Sequence, residues 1–223
     1  MNRTTGGISD KRTFILQHTR LQRLPLIPEL QLYLADEAMP LWRIVEDELE
    51  GSLPFWAFAW VGGQAIARYL LDHPQEVAGK RVLDSATGSG LCAIAAMRAG
   101  AASALAADID PFCEVAVALN ADANGVRVSF TSCDLLEADQ PDADLILAGD
   151  VCYEQPLAGR ILAWLQKAQH RSTRVLIGDP GRDYLPREGL IRLADYQVPT
   201  TRELEDQEVK RTGVFTLQPC TAL

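Results

Sequence analysis

The chain is short of the residues that several kinds of site require. Its five cysteines, Cys92, Cys113, Cys133, Cys152 and Cys220, form no CxxC pair, and none has a histidine close by in sequence. Zinc sites draw their ligands from such close pairs, so this spacing argues against a metal and predicts small, buried, reduced thiols. The three histidines, His18, His73 and His170, show no ligand spacing either. No apolar run reaches the roughly eighteen residues of a membrane span, and the N-terminus lacks a compact hydrophobic signal core. The expectation is a cytoplasmic protein with no membrane partner. Basic residues are also scarce, with 21 Lys and Arg against 30 Asp and Glu and a net charge of −9. Binding to a phosphate backbone draws most of its affinity from clustered cations, so this charge speaks against nucleic acid and for a basic protein partner.

What remains is enough for one sizeable core, since 48% of 223 residues are apolar. Residues 1–23 carry Arg3, Lys11, Arg12, Arg20 and Arg23 against the single acid Asp10, which reads as a flexible arm. Read instead as a transit peptide, the same bias would move the protein to the mitochondrial matrix. Residues 24–54 are punctuated by Pro25, Pro28, Pro40 and Pro54 and form an expected cap on a core of residues 55–223. Within the cap, residues 30–34 alternate at the strand period, whereas residues 41–45 are too short to assign. After an aromatic cluster, Ile66, Tyr69 and Leu70 share a helical face that Pro74 ends.

From residue 80 onward, strand and helix signals alternate. Strands are expected at 81–84, 104–107, 126–132, 144–148 and 174–178. Asp110 offers an N-cap with Pro111 at the first helical position. A helix at 190–193 and two strands, 196–202 and 213–218, close the chain. Such repetition predicts an α/β fold, a doubly wound parallel sheet, and the final helix-free pair predicts one antiparallel strand.

The densest signal is the first strand, ending in Asp84, then Ala86, Gly88 and Gly90 in a turn that opens an Ala-rich helix. Asp108 ends the next apolar run eighteen residues after Gly90. The stretch fits the G-x-G-x-x-[GA] pattern, with glycines that let a cofactor approach the backbone and an acid for ribose hydroxyls. That pattern alone serves a dinucleotide as well. Three features favour S-adenosylmethionine: Asp84 at the strand end, a turn placed after eighty residues, and the reversed final strand. Together they resemble class I methyltransferases, which carry a seven-stranded Rossmann-like sheet. The resemblance implies that Asp84 and the turn face the methionine part, Asp108 the ribose and Asp134 the adenine, with Ile109 also at the cofactor. Such enzymes usually have glycine where this chain has Ala86, and a positive φ there would cost about 1 kcal/mol.

Past the fourth strand comes Asp150-Val-Cys-Tyr153. With Phe55-Trp56-Ala57, Trp60 to Ala65, Asp108 to Pro111, Leu119-Asn120 and Val175 to Arg182, this motif resembles the electron transfer flavoprotein beta-subunit lysine methyltransferases, over roughly residues 25–219. The resemblance implies a monomeric protein-lysine methyltransferase with Trp60 beside the cofactor and Asp150 and Tyr153 as the catalytic pair. A ribosomal-protein or small-molecule methyltransferase, and a non-catalytic dinucleotide-binding or scaffold protein, are the alternatives. A free lysine has a pKa near 10.4, so on the order of one molecule in a thousand is neutral near pH 7. A carboxylate favours the ammonium, so Asp150 is expected to orient the amine rather than deprotonate it. Asp179 and Arg182 follow the fifth strand, on the edge where ligands bind in open α/β sheets.

Overall fold

The computed structural model describes residues 10–36, 40–42, 53–138 and 142–219. Helix α1 (Lys11–His18) begins where the Asp10 side chain accepts from Thr13 N at 3.0 Å. Strands β1 (Arg20–Leu24) and β2 (Ile27–Leu34) pair antiparallel. A short 3₁₀ turn at Phe55–Ala57 then leads into α2 (Val61–Asp72). The core proceeds through β3 (Arg81–Ser85), α3 (Leu91–Arg98), β4 (Ser103–Ala107), α4 (Pro111–Ala123), β5 (Ser129–Thr131) and β6 (Leu145–Gly149). It ends with α5 (Leu157–His170), β7 (Arg174–Asp179), β8 (Leu190–Pro199), α6 (Arg202–Glu205) and β9 (Val209–Leu217).

The seven-stranded sheet has the order β5-β4-β3-β6-β7-β9-β8. Its first five members are parallel, and β9 alone runs against both neighbours. Successive strand residues point to opposite faces, so a strand covered on both sides must be apolar throughout. Strand β6 satisfies this: Leu145 and Leu147 join Ile66 and Leu70 of α2, while Ile146 and Ala148 join Ile161 and Leu165 of α5. On the α2 side, Ala93 of α3 and Val117 of α4 cover Ala104 and Ala106 of β4. As expected, α4 starts with Asp110 accepting from Phe112 N at 2.8 Å and Pro111 in its first turn.

Three expectations change. The arm is not loose from residue 11 onward: Phe14 and Ile15 are buried against Trp56 and Phe112, and β1 belongs to a hairpin. Arg12, Arg20 and Arg23 face outward, which makes the segment read as solvated. Ile27, Leu30, Leu32 and Leu34 of β2 pack on Leu91 and Ile94 of α3. Residues 43–45 of the unassigned piece lie outside the described residues.

The second change is at the tail, where the helix expected at 190–193 is the start of β8. Leu190 pairs with Leu217 and Pro199 with Val209, so a long ladder to β9 overrides a weak local helical pattern. The third core strand is also shorter than expected, covering Ser129–Thr131 of the 126–132 span.

Candidate active site

The loops after β3, β4, β5, β6 and β7 surround one cavity of about 660 Å³. This is the carboxyl edge of the sheet, where ligands bind in open α/β folds. Trp60, Asp84, Ala86, Gly88, Asp108, Ile109, Asp134, Asp150 and Tyr153 all line it, so residues ninety positions apart share one wall. Gly90 is the exception. It lies behind the wall as the residue preceding α3, at φ +82°, and a Cβ there would sit 3.0 Å from Val117 Cγ2. Its role is to let the turn pack on α4, not to touch a ligand.

The loop after β3 is held by carboxylates. Asp84 Oδ2 accepts from Thr87 Oγ1 at 2.5 Å and from Ala93 N at 3.0 Å, tying the turn to the first residues of α3. Burial pushes Asp84 up to about 7, against those two hydrogen bonds. Asp108 Oδ2 accepts from Gly88 N at 3.0 Å, and Oδ1 from Asp110 N at 3.0 Å. Each oxygen keeps a further lone pair, the capacity that two ribose hydroxyls require. Asp134 Oδ1 accepts from Leu136 N at 2.9 Å. Ala86 sits at φ +51°, so the strain anticipated for an alanine in this position is present. Cavity size, open carboxylate capacity and a turn whose backbone faces the cavity all fit a nucleoside-bearing cofactor.

Aromatic rings border the other part of the cavity. Trp60 Nε1 donates to Phe55 O at 3.1 Å, and the Phe55 ring lies 5.7 Å from Trp60 and 5.9 Å from Tyr153. Tyr153 is 42% exposed and Ile109 71%, so both form the rim rather than the floor. Burial raises the Tyr153 hydroxyl above its ordinary value, which keeps it a neutral donor.

Asp150 has a different environment. At φ +56° it turns a buried carboxylate onto the N-terminus of α2, where Oδ2 accepts from Gly62 N at 2.5 Å and Gly63 N at 3.1 Å. The other oxygen, Oδ1, accepts from Arg182 Nη2 at 2.8 Å and Nε at 3.3 Å. Burial pushes Asp150 up to about 6, opposed by the Arg182 charge. Helix α2 comes this close only because Gly62 and Gly178 meet backbone to backbone; a Cβ on either would overlap the other's carbonyl oxygen. Asp150, expected to orient an amine, thus has all four of its carboxylate lone pairs engaged by these contacts.

Gly62 and Gly63 carry no recognisable task within the Trp60 to Ala65 span, and Glu205 has no signal in the sequence. Glu205 lies on α6 between β8 and β9, is 5% exposed, and accepts from Arg182 Nη2 at 2.6 Å. Nothing local marks it, since its partner is 23 residues away across β8.

A family model described as ribosomal protein L11 methyltransferase (PrmA) matches residues 67–152, which include the loops after β3 to β6. The electron transfer flavoprotein beta subunit lysine methyltransferase of Xenopus laevis is 37% identical over 214 residues, covering 93% of this chain and 87% of that protein. The protein of the same name from Mus musculus is 37% identical over 226 residues, 97% of this chain and 89% of that one. A solved structure assigned as an RNA methyltransferase from Pyrococcus horikoshii aligns with a TM-score of 0.55 at 16% identity, over 82% of this chain and 98% of that chain. At that identity the likeness speaks for the fold alone. The chain is a methyltransferase whose methyl donor is S-adenosylmethionine. With more than a third of its residues shared along nearly its whole length, it belongs to the electron transfer flavoprotein beta subunit lysine methyltransferase family.

Proposed function

We propose that this enzyme methylates lysine side chains of the electron transfer flavoprotein beta subunit, acting as a monomer on a protein partner. The observation that carries the reading is 37% identity over 93% of the chain to a protein named for that substrate. Asp150 and Tyr153, on the wall of the donor cavity, give that likeness a chemical location.

S-adenosylmethionine, when bound, supplies an electrophilic methyl group on a sulfonium. Asp108 would hold its ribose, Asp134 its adenine, and the Ala86–Gly88 backbone its methionine part, with Asp84 bracing that turn and Ile109 and Trp60 alongside. The acceptor amine must be neutral to attack, and partial desolvation in the cavity lowers the affinity of a lysine for its proton. Asp150 works by orientation, accepting an N–H on Oδ1 in place of a contact with Arg182, so that the nitrogen lone pair is aimed at the methyl group. Tyr153 and Phe55 wall the channel for the four-carbon stem. The free Cys92, Cys113, Cys133 and Cys152 support a reducing compartment, the cytoplasm or the mitochondrial matrix.

The test is transfer from methyl-labelled S-adenosylmethionine to the purified beta subunit, with the modified residue located by mass spectrometry. Label on lysine is expected. Label confined to another residue type, or to RNA in a competing extract, would sink the reading. The match to the ribosomal protein L11 methyltransferase model spans residues 67–152 and omits Arg182 and Glu205, so a ribosomal protein belongs in the same assay as the competing acceptor.

A further inference from the structure

The floor of the acceptor region is a cluster of buried charges with one unusual member. Asp150 Oδ2 is fixed by two amides of α2. These cannot move away, because α2 is seated on β6 and β7 through glycines: a Cβ on Gly149 would lie 2.9 Å from Gly63 N. Asp150 Oδ1, in contrast, is occupied only by the guanidinium of Arg182, a long side chain that itself lines the cavity. The same Nη2 atom that contacts Asp150 also contacts Glu205 Oε1, at 2.6 Å, so Arg182 already has a second anion to hold it. Glu205 is in turn 3.9 Å from Lys210 Nζ. Asp179 adds a third carboxylate nearby, its Oδ1 accepting from Arg182 N at 2.7 Å and its Oδ2 buried without a partner. With every carboxylate ionised, three anions face two cations, and the cluster is one positive charge short of balance.

We propose that Arg182 is a positioning residue that keeps the acceptor's place: its guanidinium stands on Asp150 Oδ1 until a lysine ammonium enters, then moves wholly onto Glu205. The inference rests on the lysine-acceptor reading above and adds to it the means by which Asp150 becomes free. The incoming ammonium supplies the missing positive charge, so the exchange keeps each buried carboxylate partnered throughout, which an unpaired buried charge would make costly. Arg182 retains its contact with Glu205 in both arrangements. The planar fork suits this task, because two nitrogens engage Asp150 while one of them is already shared. The ionisable groups around Asp150 are Arg182, Glu205 and Asp179, the thiols of Cys92 and Cys152, and Tyr153 at the rim, with Lys210 beyond Glu205.

The experiment compares Glu205→Gln, Arg182→Lys and Arg182→Met with the unaltered enzyme, using the purified beta subunit as acceptor and S-adenosylhomocysteine as the binding probe. Glu205→Gln removes the anion that receives Arg182, so the KM for acceptor should rise about tenfold, with kcat changed by less than about threefold and affinity for S-adenosylhomocysteine retained. Arg182→Met leaves Asp150 buried without its counter-charge, so the acid limb of the pH–rate profile should move upward by about one pH unit. Arg182→Lys should bring that limb back towards its original position, since the charge returns. Variants that fold and bind S-adenosylhomocysteine, yet show an unmoved acid limb and an unmoved acceptor KM, overturn the role of Arg182 and leave it a structural pin. An unaltered enzyme that transfers no methyl to lysine overturns the lysine reading itself, a result distinct from the first.

Discussion

The donor wall and the acceptor wall of the cavity hold buried carboxylates in opposite ways. Asp84 and Asp108 are held by backbone amides and one hydroxyl from the turn after β3, the helix it opens and the start of the loop after β4, and no cation among the described residues touches them. Asp150 is held by amides of a helix 88 residues earlier and by an arginine 32 residues later. The first arrangement is rigid and can receive a ligand without rearranging, because Asp108 keeps unused lone pairs. The second is saturated and must give something up before an acceptor can bind. One wall is built to be filled and the other to be exchanged.

The sharpest way to break that comparison is to delete each key carboxylate in turn. Asp150→Ala should cut methyl transfer on the order of a thousandfold through lost orientation, while calorimetry finds S-adenosylhomocysteine bound almost as before. Full activity in this variant would make Asp150 a helix cap and nothing more. Asp108→Ala should do the reverse. Losing two hydrogen bonds to a charged acceptor should weaken S-adenosylhomocysteine about fiftyfold in Kd, with a smaller loss of rate at saturating donor. Equal damage to donor binding from both variants would mean the two walls are one energetic unit.

The same contrast explains what the sequence disclosed. Asp84, the glycine turn and Asp108 lie within 25 residues and follow the strand and helix periods, so a nucleoside-binding turn is legible from spacing, while the choice of S-adenosylmethionine over a dinucleotide is not. Asp150 and Tyr153 were legible as a motif, but the amides and guanidinium that saturate Asp150 were not, because these contacts arise from sheet order. Glu205 reaches the site only when β8 pairs with β9, and β8 begins in a stretch whose local pattern is helical. Gly90 shows the opposite error: a motif glycine is needed for packing on Val117, one layer behind the ligand. Buried side chains on the α1 helix were likewise hidden among outward-facing basic residues.

A smaller effect should appear in stability against pH. Asp84 is raised by burial to about 7 from 3.8. Between those values the folded chain keeps a proton that the unfolded chain has released. The contribution is therefore fully present below about pH 3.8 and is lost as pH rises through 7, so the protein without ligand should become less stable over that window. Asp150, raised to about 6, adds to the slope in the same direction. Asp84→Asn keeps the acceptor oxygen and removes the titration, so urea melts of variant and parent should converge near pH 4 and diverge in favour of the variant near pH 7. Parallel curves would show that Asp84 stays ionised in the fold, and the donor wall would then hold a charge with one hydroxyl and one amide and no cation among the described residues.

The weakest expected effect tests how rigid the donor wall is. Ala86 holds φ +51° at the head of the turn, a conformation that costs an alanine about 1 kcal/mol and a glycine almost nothing. Ala86→Gly relieves that strain but lets the unfolded chain roam more widely, and the two changes oppose each other at similar size. The net gain should be about half a kcal/mol or less by urea unfolding. If the turn is already set by Asp84 and Asp108, the affinity for S-adenosylhomocysteine should stay within about twofold, since the backbone that glycine would prefer is the one alanine already adopts. A tenfold change would mean that alanine strain sets the shape of the loop, and that the donor wall, like the acceptor wall, adjusts when its ligand arrives.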